Sequence, residues 1–304
     1  MNCDKCQNPA VAHLRYSDIR LCKNHFIGLT TDRIRKTINK NKFFERGDRV
    51  AVAVSGGKDS IVTLRELHDI SKKRGIEIVG VTIDEGIADY RPESIDIAER
   101  TYKELGVDYT ILTYKDRVGK PLDKIMEKPD ISRACEYCGV FRRRLIEDGA
   151  REMGADKIAT GHNLDDEAQS IFMNYIRSDF PRIARSGPKT ANKEGFIPRV
   201  KPLCNIPEKE VGLYAILKGY EIHEDECPNA ANAFRLNIRD HMNLIEDKYP
   251  GFKFGIYNSA ENLRNILADV NIEKNTLKKC ENCGQNTSGK ICKFCELKAY
   301  ANKE

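Results

Sequence analysis

The chain has 304 residues, 40% hydrophobic and 32% charged, with 51 basic against 46 acidic side chains and a net charge of +5. This composition supports a real core and excludes wholesale disorder, and no run approaches the ~20 apolar residues of a membrane-spanning helix. The first residues, Met1-Asn2-Cys3-Asp4-Lys5, lack the apolar stretch of a secretory signal, so a cytoplasmic protein with no membrane partner is expected.

Eleven cysteines and no tryptophan need a reason. An odd count cannot pair fully as disulfides, and in a reducing compartment metal is the better expectation. Cys3-x2-Cys6-x15-Cys22-x2-His25 comes first in the chain. A CxxC forms a knuckle whose sulfurs point at one ion, so residues 1–28 are expected to be a zinc module closed by three cysteines and one histidine. Reduced thiols or a redox pair are disfavoured, because so short and polar a segment could hardly fold without a crosslink.

Residues 29–44 place Ile34 and Ile38 at helical spacing among Arg33, Arg35, Lys36, Lys40 and Lys42. They predict a basic linker helix within residues 29–47, whose charge is either an RNA-facing stripe or simply a solvated face.

From residue 48 apolar runs and helical periods alternate. Strands are predicted at 49–55, 77–83, 109–114, 157–160 and 200–203, with helices at 59–74, 92–105, 137–153, 165–176 and 207–218. That alternation predicts an α/β fold: a doubly wound parallel sheet spanning residues 48–224 and covered on both faces. Residues 178–201 read as a long basic loop carrying Arg182, Arg185, Lys189, Lys193, Arg199 and Lys201. A helical extension is expected over 225–272. Residues 273–304 should form a second zinc module around Cys280-x2-Cys283-x8-Cys292-x2-Cys295.

Three cysteines remain near the middle: Cys135, Cys138 and Cys227. Three thiolates do not fill a structural zinc site, but they can hold a metal or cluster with one open position. Spacing alone weighs this equally against a dithiol or disulfide used for sulfur relay. Cys204 stands apart and reads as a buried small hydrophobe.

The chemistry is concentrated in Ser55-Gly56-Gly57-Lys58-Asp59-Ser60, between the first strand and its helix. Glycines permit close backbone approach, and a helix N-terminus presents N–H groups to an anion. The spacing fits neither the Walker loop nor GxGxxG. It resembles the pyrophosphatase loop of enzymes that split ATP between the α and β phosphates. Gly161-His162-Asn163-Leu164-Asp165-Asp166-Glu167-Ala168 resembles the second motif of the same superfamily. With Cys135, Cys138 and Cys227 and the run Arg142-Arg143-Arg144, the whole chain resembles the TtcA/TtuA group of tRNA 2-thiolation enzymes. Its terminal modules are similar to those of the TtuA and cytosolic thiouridylase (NcsA/Ctu) branch.

The resemblance implies an adenine nucleotide α-hydrolase-like PP-loop domain, with ATP and Mg²⁺ at the C-terminal strand ends. Ser55, Gly56, Gly57, Lys58 and Ser60 would hold phosphate, Asp59 would hold Mg²⁺ or orient the loop, and Ile83 and Asp84 would contact adenine and ribose. Gly161, His162 and Asp166 would complete the nucleotide site, His162 as a structural hydrogen bonder. Asp165 or Asp166 would serve metal or proton transfer, the other merely opening a helix. Arg142, or its neighbour Arg143, would stabilise the adenylate or a sulfide. Cys135, Cys138 and Cys227 would bind a [4Fe–4S] cluster beside two structural Zn²⁺. The implied reaction adenylates uridine O2, releases pyrophosphate, and then replaces the adenylated oxygen with sulfur.

Frequent Asn and Cys argue against a hyperthermophile, which favours the wobble uridine over a T-loop target. The implied partners are tRNA, a sulfur donor (sulfide or a thiocarboxylated ubiquitin-like protein) and a second copy in a homodimer. A noncatalytic zinc-finger RNA-binding protein on the same scaffold is the alternative from another class.

Overall fold

The computed structural model describes residues 1–128, 134–190, 195–230, 234–268 and 277–303. In chain order the elements are β1 (Ala12–Leu14), β2 (Ile19–Leu21), α1 (Lys23–Lys40), β3 (Arg49–Ala53), α2 (Lys58–Arg74), β4 (Glu77–Asp84) and α3 (Arg91–Leu105). There follow β5 (Tyr109–Thr113), α4 (Tyr114–Arg117), α5 (Leu122–Met126), α6 (Ala134–Glu152), β6 (Lys157–Thr160), α7 (Leu164–Ile176), α8 (Phe180–Arg185) and β7 (Arg199–Val200). The chain continues through α9 (Glu208–Lys218), a 3-10 turn (Pro228–Ala230), α10 (Phe234–Lys248), α11 (Phe252–Ala268), β8 (Lys278–Lys279), β9 (Asn286–Thr287) and α12 (Lys293–Ala301).

The central sheet has five parallel strands in the order β5-β4-β3-β6-β7. The chain therefore moves outward one way from β3, then returns to build the other side from β6. A ligand crevice opens where the order reverses, at the C-terminal ends of β3 and β6. The expected α/β doubly wound sheet is the observed one.

Alternation along β3 splits the core. Val50 and Val52 are wholly buried against α2, α3, α9 and α1, in one cluster with Ile61, Leu64, Ala98 and Tyr102. Ala51 points to the other face with Val79, Val81 and Ile83, where α6 lays down Phe141, Leu145 and Ala150. Burial on both faces is why β3 and β4 read as nearly continuous apolar runs. Gly149 lets α6 lie close, since a Cβ there would come within 2.8 Å of Val81. A third cluster joins Leu164 and Ile171 of α7 to Tyr257 and Ala260 of α11, with Cys204 fully buried in it and receiving the Tyr257 hydroxyl at 3.4 Å.

Two expectations change. The linker helix begins at Lys23, not residue 29, so His25 sits on its first turn and the boundary at 28–29 falls inside one helix. Cys22 is its N-cap residue, so an expected metal ligand stands where the helix begins. The helix is also not simply a solvated basic face: Ile34 and Ile38 are core, and Arg33 pairs with Glu210 at 2.6 Å.

The basic segment 178–201 is only partly loop. Asp179 caps α8 by accepting from the Arg182 N–H, and the chain then doubles back so that Thr190 donates to the Arg199 carbonyl. Lys193 lies outside the described residues, as do the domain boundary expected at 272–273 and the final residue. The fifth strand ends at Val200 rather than 203, because residues 202–205 turn. The short α4 and α5 were not anticipated; each is about one turn, too short for a period to show.

Candidate functional site

The Ser55–Ser60 turn leaves β3 at the switch point and opens α2. No side chain caps α2 at Gly57, so its first N–H groups are available to an anion. Gly56 has φ +89°, and a Cβ there would lie 2.2 Å from the Ser94 carbonyl, so glycine is obligatory. Ser60 holds the turn from within: its hydroxyl donates to the Gly57 carbonyl at 2.8 Å and accepts from the Ser55 N–H at 3.1 Å. The phosphate-binding hydroxyl expected of Ser60 is thus used in the loop itself. Lys58 is likewise engaged, at 3.1 Å from Asp59 and 2.8 Å from Glu208. Burial works against its charge, but those two carboxylates outweigh it and raise its pKa.

The second motif meets the first through Asn163, a residue to which the sequence reading gave no role. Its side chain caps α7 by accepting from the Asp166 N–H and donates to Asp59 at 3.0 Å. A Cβ on Gly161 would come within 2.7 Å of the Asp59 backbone, so the two strand ends touch. Burial pushes the Asp59 carboxyl up to about 6, with the neighbouring Asp166 charge adding to it against Lys58 and Asn163. Asp59 and Asp166 keep 25% and 34% of their side-chain surface open to solvent while protein surrounds them, the signature of a cleft wall.

The adjacent acids diverge. Asp165 is buried: one oxygen takes the Lys253 ammonium, the other the Glu208 N–H at 2.8 Å. Asp166 faces Asp59, raised by burial and opposed by Arg235 at 3.0 Å. His162 lines the same cleft, exposed on one side; burial by the rest of the wall pushes its imidazole down to about 4, and Thr160 bonds its Nδ1 at 2.8 Å.

Behind the turn lies a buried pair absent from the sequence reading. Arg91 and Glu85, each 4% exposed in its side chain, meet at 2.6 Å. Arg91 also donates to the Ser55 carbonyl at 3.0 Å and to the Ile83 carbonyl, tying the ends of β3 and β4 together. That engages the carbonyl of Ile83, whose backbone is expected to contact adenine; the Val81 carbonyl accepts from the Val54 N–H at 2.9 Å. Asp84, expected at the ribose, instead closes its own turn by accepting from the Gly86 N–H. The second Glu85 oxygen lies 3.7 Å from Arg142, so one network runs from the phosphate turn to the helix of the central cysteines.

Cys135 and Cys138 sit on the first turn of α6, a helix predicted to start only at 137. Cys135 is exposed, Cys138 and Cys227 are half-buried, and none forms a disulfide. Tyr114 donates to the Cys138 carbonyl at 3.0 Å and lies 3.6 Å from its sulfur. Burial raises the Cys138 and Cys227 thiols, with Arg142 opposing. The three arginines separate as three successive helix positions must. Arg142 faces the thiols and Glu85. Arg143 is pushed down by burial and by its crowd of Arg199, Arg142 and Arg182. Arg144 pairs with Asp148 at 2.8 Å and reaches the Cys283 sulfur at 3.5 Å.

The terminal donor sets differ from this trio in scale. Cys3, Cys6, Cys22 and His25 present donor atoms all within 4.8 Å of one another, as do Cys280, Cys283, Cys292 and Cys295. Zn–S bonds of ~2.3 Å at tetrahedral angles put sulfurs ~3.8 Å apart. Cys6–Cys22 and Cys283–Cys292 are each 3.7 Å apart, and His25 Nδ1 is 3.3 Å from Cys3 and 3.4 Å from Cys22. Both quartets fit one tetrahedral ion. The central trio does not gather within 4.8 Å, although Cys138 feels the charge of Cys227 and Cys227 that of Cys135. That is too wide for a single ion and fits a group whose metals are themselves spread out, such as an iron–sulfur cluster.

A phosphate-cradling turn at the switch point, beside paired acids and linked through buried charges to the helix of three free thiols, defines a PP-loop nucleotide-activating enzyme. The PP-loop domain family matches residues 29–245, and the 2-thiouridine synthetase TtuA N-terminal LIM domain matches residues 2–27. The tRNA 2-thiolation protein NcsA of Haloferax volcanii is 39% identical, over 98% of both chains. Cytoplasmic tRNA 2-thiolation protein 1 of Caenorhabditis elegans is 37% identical, over 96% of this chain and 78% of its own. The structure of the U34-tRNA thiolase NcsA from Methanococcus maripaludis with its [4Fe-4S] cluster superposes with a TM-score of 0.84 at 34% identity, covering 99% of this chain and 96% of that one. The chain belongs to the tRNA 2-thiolation family of PP-loop proteins.

Proposed function

We propose that this protein is an ATP-dependent tRNA sulfurtransferase that converts the wobble uridine to 2-thiouridine. The observation that carries it is one continuous polar network: Ser55, Arg91, Glu85 and Arg142 connect the phosphate turn to the helix of the central thiols. Activation of a carbonyl oxygen and delivery of sulfur to the same carbon require such neighbours.

In the first step uridine O2 attacks the α-phosphorus of ATP; an O–P bond forms, the α–β bridge breaks and pyrophosphate leaves. The N3 proton is lost as the base becomes an O2-adenylate. In the second step hydrosulfide adds at carbon 2, AMP leaves with the old O2, and the sulfur proton returns to N3. Gly56, Gly57 and the open start of α2 hold the phosphates. Asp59, ionised above about 6, is assigned to Mg²⁺. Asp166, rather than its buried neighbour Asp165, is assigned to the N3 proton, because it faces Asp59 with part of its surface open and burial raises its carboxyl above the ordinary carboxylate range. Arg142 neutralises charge on the departing AMP.

Cys135, Cys138 and Cys227 would hold a [4Fe–4S] cluster; when bound, it supplies an iron without a protein ligand, open to sulfide. The terminal quartets would hold one Zn²⁺ each, their donors being close enough for a single ion. Arg143, Arg182 and Arg199, which crowd one another, meet RNA phosphates. A homodimer and a cytoplasmic setting accompany this reading; among the described residues no helix is long and apolar enough to cross a membrane.

The test is anaerobic turnover with ATP and tRNA transcripts carrying a cytidine at the wobble position or in the T-loop. The expected result is AMP and 2-thiouridine lost only with the wobble change. Loss with the T-loop change would favour that target, and no AMP with any transcript would leave a noncatalytic RNA-binding scaffold. Sulfide and a thiocarboxylated carrier protein, supplied in separate arms, identify the donor.

A further inference from the structure

One titratable cluster lies outside everything assigned above. His223 Nε2 is buried with no hydrogen-bond partner, and the His223 side chain is only 4% exposed. It points at Glu93 Oε2, 3.9 Å away on the first turn of α3, and at Asp225 Oδ2, 3.8 Å away. These separations are too long for hydrogen bonds. The three donor atoms nonetheless lie within 4.8 Å of one another. Both carboxylates are 70% or more exposed, so they converge on a buried nitrogen from the solvent side. The edge-on ring of Tyr90, 5.1 Å from the imidazole, packs beside it.

We infer that Glu93, His223 and Asp225 form a further metal site, for a divalent transition cation, at the flank of the phosphate turn. Metal–nitrogen and metal–oxygen bonds of ~2.0–2.2 Å put neighbouring donors ~3–3.5 Å apart, so a small closure of two exposed carboxylates completes the set. One imidazole and two carboxylates suit zinc, manganese or cobalt; magnesium prefers oxygen alone. The donors carry two negative charges, matching a dication, and the open side leaves positions for water.

The location gives the site a consequence. The His223 N–H donates to the Gly56 carbonyl at 3.0 Å, and residue 223 pairs with Gly57 as an isolated parallel bridge. The same short segment continues to Cys227. A cation here clamps that segment to α3, and so fixes the phosphate turn and the third central thiol together.

The inference is independent of the proposed reaction, and so is its test. The full-length protein, without nucleotide and dialysed against a carboxylate chelator too weak to strip thiolate zinc, is titrated anaerobically with Mn²⁺ and followed by electron paramagnetic resonance. Manganese avoids the thiolate sites. The expected result is saturable binding whose stoichiometry falls by one Mn²⁺ per chain in Glu93→Gln/Asp225→Asn, or whose affinity falls at least about tenfold. Both substituted residues are exposed, so the fold is spared. His223→Gln should remove imidazole nitrogen modulation from the spin echo of bound Mn²⁺. Absence of saturable binding, equal binding by the double variant, or an echo without nitrogen modulation in the parent protein would each overturn the site.

Discussion

The ends of the chain and its centre use cysteine in opposite ways. At each end four donors close on one point within 4.8 Å, and the surrounding segment packs its few apolar side chains, such as Leu21, Phe26 and Ala301, into the cores of the main sheet. At the centre three thiols spread along the first turn of α6 and an extended segment, beside a core built from the sheet and α6. A closed quartet leaves a metal nothing to do but hold the chain. An open trio beside a phosphate turn leaves a place for chemistry. Donor number and spacing, rather than residue type, separate scaffold from site.

The comparison breaks most visibly through the central thiols. Cys138→Ser should abolish 2-thiouridine formation, read by mass spectrometry of digested tRNA, with zinc content unchanged. Loss of zinc from that variant would erase the distinction between the regions.

The next largest effect concerns stability. Asp165→Asn strands the Lys253 ammonium, and breaking such a buried pair costs about 3–5 kcal/mol. Asp166→Asn should unfold near the parent in denaturant yet release AMP slowly. Equal unfolding midpoints for both variants would show that the two acids are not divided as described.

Arg144→Ala tests where the regions meet. Arg144 donates to Cys283 and lies 4.9 Å from the Phe294 ring centre, while Phe141 packs edge-on against the same ring. Removal should weaken zinc at the C-terminal site about tenfold in chelator competition, leaving the N-terminal site untouched.

A pH effect follows from Asp59. Its folded pKa, about 6, lies above the ordinary 3.8, so its neutral form favours the fold. The stability it contributes is complete below 3.8 and is lost as pH rises through 6. Asp59→Asn should therefore flatten that part of the stability profile while slowing AMP release above pH 6. His162 gives the smallest effect. With its pKa near 4 it should show no titration between pH 6 and 8 by NMR, and His162→Gln should change AMP release little.

Much of this was legible before the structure. Apolar runs located β3, β4, β5 and β6 within two residues, and spacing identified all eight terminal donors. The phosphate turn was recognisable because glycine and a helix start leave local marks. What stayed hidden depends on distant partners. Nothing beside Arg91 or Glu85 in the sequence announces that they join two strand ends to α6. Asp165 and Asp166 are equivalent as letters; a helical rotation of ~100° sends one to Lys253 and the other to the cleft. Ile83 and Asp84 looked available for adenine and ribose because their competing hydrogen bonds come from Arg91 and Gly86. Asn163 could have been found from its position, since an Asn three residues before an acid at a helix start marks a capping box.

The most direct test is metal quantitation of anaerobically reconstituted protein, beside a variant with Cys135, Cys138 and Cys227 all changed to Ala. With both proteins dialysed against a carboxylate chelator too weak to strip thiolate zinc, the parent should keep zinc in both quartets and about four irons per chain. The variant should keep the zinc and lose the iron. Iron retained by the variant, or zinc lost with it, would contradict the division between closed ends and open centre.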